Sequence, residues 1–93
     1  PVSVHYAKSK SFTKKEIKVK KGDMLYLFSD GFQDQFGGLK DKKYMALRFK
    51  NLLKKISINT SQEQFSLLKD EFNSWKGDGE QIDDVCVMGV RIT

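Results

Sequence analysis

The sequence predicts an α+β domain of antiparallel strands, a β-hairpin, two helices and a final strand, in the order β, β-hairpin, α, α, β. Three observations predict it. Met24-Leu25-Tyr26-Leu27-Phe28 is an unbroken apolar block, which reads as a strand buried on both faces. Two later segments carry apolar residues at helical spacing. Val85–Ile92 is rich in β-branched residues and reads as a last strand.

Taken in order, Val2 and Val4 alternate with small residues, giving a short strand whose edge Pro1 suits. In Ser11–Lys21, Phe12, Ile17 and Val19 are separated by polar positions, as in a strand with one wet face. Lys21-Gly22-Asp23 is a tight turn with glycine where positive φ is expected, so Met24–Phe28 returns as the second arm of a hairpin. Gly31–Gly38 is a loop or short helical turn closed by two glycines. From Lys42 to Ile56 the stripe Met45, Phe49, Leu52, Leu53, Ile56 predicts an amphipathic helix with a basic outer face. Thr60-Ser61-Gln62-Glu63 has capping-box spacing and opens a second helix with the stripe Phe65, Leu68, Phe72, Trp75, for which Gly77 is the stop. Asp78–Gln81 is an exposed loop before the last strand.

Ninety-three residues form one small domain at most, and a hydrophobic content of 39% with seven Phe, three Tyr and one Trp supports a core. The single Cys86 excludes a disulfide framework and a cysteine zinc site, and fits a reducing, cytoplasmic setting. The sequence contains neither an apolar run of membrane-spanning length nor the apolar core of a signal peptide. The chain opens at Pro1, which suggests a segment of something longer, or Met removal before Pro. The net charge of +5 is uneven: lysines dominate the first 21 residues and Lys40–Lys55, whereas acids outnumber bases from Glu63 onward. A basic face could draw a phosphorylated or acidic partner, but without interleaved aromatics it argues against nucleic acid.

Asp30 follows the buried strand, and Asp83-Asp84 precedes the last one. If those strands are antiparallel neighbours, the carboxylates meet at one rim. Converging carboxylates repel unless a cation lies between them, and Mg²⁺ and Mn²⁺ favour such oxygen-only sites. The alternative is that Asp30 caps the following turn and Asp83-Asp84 is a solvated loop.

Gly22-Asp23-Met24-Leu25-Tyr26-Leu27-Phe28-Ser29-Asp30-Gly31 resembles the strand-to-Asp-Gly segment of the metal-dependent serine/threonine phosphatases of the PPM or PP2C superfamily. Gln81-Ile82-Asp83-Asp84-Val85-Cys86-Val87 resembles the acidic segment that opens their last strand. Asp34–Gly38 and Trp75-Lys76-Gly77 are similar to the SpoIIE-type branch, in domains that end large bacterial sensor proteins. The resemblance spans nearly the whole chain. It implies the C-terminal half of an α-β-β-α sandwich whose intact site holds two Mn²⁺ or Mg²⁺ ions. By resemblance, Asp30 and Asp83 ligate one metal, Gly31 gives the backbone room beside it, and Asp84 acts through water or as an outer neighbour. The implied reaction is attack of a metal-activated hydroxide on a phosphoserine or phosphothreonine protein, with sensor domains upstream in the parent chain.

One departure is large. The family uses a further Asp, usually followed by Gly, from its N-terminal half. The other Asp-Gly here, Asp78-Gly79, follows a helix and does not match. The chain should therefore carry part of the metal shell, show little or no activity alone, and self-associate through an uncovered sheet face. A second reading is a non-catalytic regulatory module that docks a partner. A receiver domain with Asp30 as phosphoacceptor fits poorly, because receivers alternate β and α from the start. His5 reads as an edge-strand residue, Trp75 as core and Cys86 as a mid-strand structural residue; Asp34 reads as a cap or a solvent-exposed residue, or as support for the site.

Overall fold

The computed structural model describes residues 3–8 and 18–93. Strands β1 (Val4–Lys8), β2 (Met24–Phe28) and β5 (Val87–Arg91) form one sheet in the order β1-β2-β5. Strands β3 (Phe36–Gly37) and β4 (Lys42–Lys43) form a small antiparallel pair, and helices α1 (Ala46–Ile56) and α2 (Ser61–Lys76) complete the fold.

β2 is the central strand. It pairs in parallel with β1, Val4 opposite Met24, and antiparallel with β5, Phe28 opposite Val87 and Met24 opposite Arg91. This corrects the expected hairpin: both edges of β2 are filled, and a parallel neighbour cannot be joined by a tight turn. Residues 18–20 are not strand, and most of the expected strand at 11–17 lies outside the described residues. Period-2 alternation identifies a wet face but not the partner. The turn itself is as expected, with Gly22 at φ 93°, and Gly22 N–H donates to the Ile92 carbonyl at 2.7 Å, so the turn extends the ladder to β5.

Met24, Tyr26 and Phe28 alternate into the core and are fully buried, whereas Leu25 and Leu27 on the opposite face are half-buried. The core face meets α1 and α2 through Phe49, Leu53, Ile56 and Phe72. Phe32 lies at the centre of this cluster. Its ring packs on Phe49 at 4.8 Å, and on Tyr44 and Phe72 at 5.1 Å each, the spacing at which aromatic pairs attract beyond simple area burial. An aromatic from the turn after Asp30 thus fixes that turn to the core.

α1 begins at Ala46, later than the spacing predicts. Lys42 and Lys43 pair instead with Gly37 and Phe36. Gly38 N–H donates to the Trp75 carbonyl at 3.0 Å, which holds this hairpin against the end of α2. Met45, expected in the core stripe, is the N-cap at φ 82° and is 60% exposed. α2 carries the expected capping box: Thr60 Oγ1 accepts from Glu63 N–H at 3.2 Å, and Thr60 N–H donates to Glu63 Oε1 at 3.0 Å. Its stripe is displaced by one residue at the start, where Gln64 is buried and Phe65 is 66% exposed. Gln64 is accommodated because its Oε1 accepts from the Tyr26 hydroxyl at 2.7 Å and its Nε2 donates to the Asn59 carbonyl at 2.9 Å. Burial there pushes the Tyr26 hydroxyl up to about 12. Trp75, read as core, is half-buried, with its ring against Tyr44 and Arg48.

β5 begins at Val87 rather than Val85, and Cys86 is exposed rather than set in mid-strand. Arg91, its last residue, donates to the Ser57 carbonyl and ties the strand to the end of α1. Among the described residues no helix is long and apolar enough to cross a membrane.

Candidate metal centre

The antiparallel pairing of β2 and β5 carries the C-terminal end of one strand beside the start of the other. Ser29 continues that pairing by one residue. Its N–H donates to the Cys86 carbonyl at 2.9 Å, its Oγ accepts from Cys86 N–H at 3.0 Å, and its hydroxyl donates to the Asp84 carbonyl at 3.2 Å. The chain then reaches Gly31, where the backbones touch: a Cβ added there would lie 2.0 Å from the Asp84 carbonyl oxygen. No side chain fits in that gap, so glycine at this position is required by close approach. The turn of Asp30 and the segment after Asp83 therefore meet at one rim.

Asp30 is exposed. Its carbonyl accepts from Asp34 N–H at 2.9 Å, and its Oδ1 accepts from Gln33 Nε2 at 3.1 Å. Asp34, expected on this turn, thus contributes its backbone. Asp83 and Asp84 are also exposed. Asp83 Oδ1 accepts from Asp84 N–H at 2.8 Å, and the Asp83 carbonyl accepts from Gln81 Nε2 at 3.0 Å. Gln81, Ile82, Asp83 and Asp84 line a shallow open depression. Carboxylate and carbonyl oxygens are the donors a hard divalent cation takes. In number they fall short: among the described residues no three His, Cys, Asp or Glu side chains gather at one point. The donors fit such an ion in kind, and the described residues would hold only part of its shell.

Two other candidates lie elsewhere. Asp78-Gly79 sits in the turn after α2, where Gly79 N–H donates to the Lys76 carbonyl at 2.9 Å. His5 lies on edge strand β1, and its Nε2 is 2.8 Å from Asp23 Oδ2. Asp23 Oδ2 also accepts from Lys20 N–H at 2.8 Å. That backbone bond, then the His5 contact, holds the Asp23 carboxyl below its ordinary range. This pair stands at the Met24 end of β2, away from Asp30, and locks the entry to the strand.

The sequence reading missed four residues that build the site: Ser29, Phe32, Gln33 and Gln35. Phe32, an aromatic in an otherwise polar turn, and the alternation Gln33-Asp34-Gln35 were the available signals. Gln35 is fully buried.

A strand ending in Ser-Asp-Gly is thus packed antiparallel to a strand that follows an Asp-Asp pair, under two helices. The sequence profile of the family Stage II sporulation protein E (SpoIIE) matches residues 6–93, and the chain belongs to that family. Among solved structures, the SiaA-PP2C domain of Pseudomonas aeruginosa is similar, with a TM-score of 0.72 and 27% identity. The match covers 75% of this chain and 29% of that one, so the chain spans less than a third of that structure's length. No curated protein matches the chain.

Proposed function

We propose that this chain is the C-terminal part of a metal-dependent protein serine/threonine phosphatase domain, and that Asp30 and Asp83, with Asp84 alongside, hold a Mn²⁺ or Mg²⁺ ion in the intact domain. The observation that carries the reading is the contact of Gly31 with the Asp84 carbonyl, which brings the two acidic segments to one rim. A bound divalent cation neutralises phosphoryl charge and lowers the pKa of water towards neutrality. The chain's own contribution is to present carboxylates from two strand ends, fixed by Ser29 and by the packing of Phe32. The substrate class is a phosphoserine or phosphothreonine regulatory protein in the cytoplasm, with sensor domains upstream in the parent chain. Neither nucleic acid nor membrane enters this reading. The segment alone has little or no activity, because the remaining ligand comes from elsewhere in the domain.

The test is Mn²⁺-dependent hydrolysis of a phosphoserine peptide by the intact domain. Activity lost in Asp30→Ala supports the reading; activity untouched by that change overturns it. The competing reading, a non-catalytic docking module, draws on the exposed apolar residues Ile82 in the acidic loop and Met88 and Val90 along β5. It predicts no metal-dependent turnover in the intact domain. The same residues lead us to expect concentration-dependent self-association of the isolated segment, which a constant monomer mass in light scattering would contradict.

A further inference from the structure

We propose that Gln35 is a positioning residue of this site: it fixes the loop that carries Asp83, and so sets where that carboxylate stands relative to Asp30. The proposal rests on the cation reading above for its purpose, but not for its geometry. Gln35 is 0% exposed, unusual for an amide side chain, and each of its polar groups is engaged, the backbone N–H donating to the Phe32 carbonyl at 3.3 Å. Its carbonyl accepts from Tyr44 N–H at 3.0 Å and from Trp75 Nε1 at 2.8 Å. Its Nε2 donates to the carbonyls of Phe36 at 3.0 Å and Glu80 at 2.8 Å. Its Oε1 accepts from Ile82 N–H at 3.4 Å.

These partners belong to three separate pieces of the fold: the β3–β4 pair, the end of α2 and the loop entering β5. The loop residues Glu80 to Asp84 are all exposed, so packing does little to order them. Two anchors bracket Asp83. On its N-terminal side the backbones of Glu80 and Ile82 hang on the Gln35 amide; on its C-terminal side the Asp84 carbonyl is held by Ser29 and abuts Gly31. Gln33, two positions earlier on the same turn, bonds Asp30 Oδ1. One short turn therefore addresses both acidic segments with alternate glutamines, and Phe32 between Gly31 and Gln33 seats it in the core. Groups that orient metal ligands in this way commonly alter affinity by about 10–100-fold when removed.

The experiment compares Gln35→Met with Gln64→Met in the intact domain. Both replace a buried, bonded glutamine by an apolar side chain of similar length, but the Gln64 side chain bonds only Tyr26 on β2 and Asn59 between the two helices, away from residues 80–84. Two readouts are taken: amide exchange over residues 80–84 in metal-free protein, and Mn²⁺ affinity by calorimetry. Gln35→Met is expected to speed exchange at Ile82 and its neighbours and to weaken Mn²⁺ about tenfold or more, with Gln64→Met changing neither. Equal behaviour of the two variants overturns the proposal. Should Gln35→Met fail to fold, Gln35→Glu replaces it: the acceptor for Ile82 remains, the donor to Glu80 is lost, and wild-type exchange over 80–84 would again overturn the idea. If wild type binds no Mn²⁺, the cation reading fails, and the exchange data alone decide whether Gln35 positions the loop.

Discussion

β2 and β5 are neighbours in one sheet, each with a run of apolar residues, yet they live in different surroundings. In β2 every second residue is sealed under the helices and the others are half-buried; in β5 only Val87 is even half-buried and the remaining four residues are exposed. The difference follows from pairing and cover. β2 has a strand on each edge and Phe28 packed edge-on to Phe49 at 5.1 Å, whereas β5 has one neighbour among the described residues and packs against the core through Val87 alone. The acidic rim stands where these regions join. A rigid strand delivers Asp30, and a sparsely packed strand with its entry loop delivers Asp83 and Asp84. The second therefore needs local ties, which Ser29, Gly31 and Gln35 provide.

The sharpest way to break the comparison is to damage the packed side. Phe49→Ala removes a fully buried ring from the centre of the aromatic cluster, and should cost about 3–5 kcal/mol in chemical denaturation. A loss under 1 kcal/mol, far below that range, would mean that the cluster around Phe32 does not hold the fold.

Gly31→Ala acts at the junction. The new methyl meets the Asp84 carbonyl, so the two backbones must part, at a cost of about 1–3 kcal/mol. Spectral changes should extend to residues 84–86 while α1 and α2 keep theirs. A wild-type denaturation midpoint would show that the close approach is absent in solution.

Asp23→Asn is a smaller change, seen in acid. The carboxyl's folded pKa lies below its unfolded value of 3.8, so its contribution is fully present above that value. It is lost as pH falls through the depressed folded pKa. As pH falls below about 4, stability should therefore be less steeply acid-sensitive in Asp23→Asn than in wild type; identical pH profiles would contradict the bonds from Lys20 and His5.

Met88→Ala should matter least. Met88 is 54% exposed in β5, and its loss should change stability by no more than about 0.5 kcal/mol. A larger loss would mean that β5 is covered in solution, which would remove the contrast between the two strands.

Most elements were legible because their signals are local. The capping box at Thr60, the buried block Met24–Phe28 and the glycine stop at Gly77 need only near neighbours, and each stands where the pattern places it. What was not legible depends on distant partners. The parallel pairing of β1 with β2 and the hold of Trp75 on Gly38 leave no mark in the alternation of residues 17–20 or 42–45. The candidate site divides in the same way. Asp30 and Asp83-Asp84 are visible as carboxylates at strand ends, and the antiparallel β2–β5 pairing that would join them could be stated in advance. The role of Gln35 could not, because its bonds reach Glu80 and Ile82, far away in sequence, and a glutamine in a polar turn looks like any solvated residue.

The central claim is that the ends of β2 and β5 share one cation. Calorimetric titration of Mn²⁺ into the intact domain, comparing wild type with Asp30→Asn, Asp83→Asn and the double variant, tests it most directly. Each single change should weaken binding by at least about tenfold, and the second change should add little once the first is made, because both remove a ligand of the same ion. Undiminished Mn²⁺ binding in both single variants would contradict the claim.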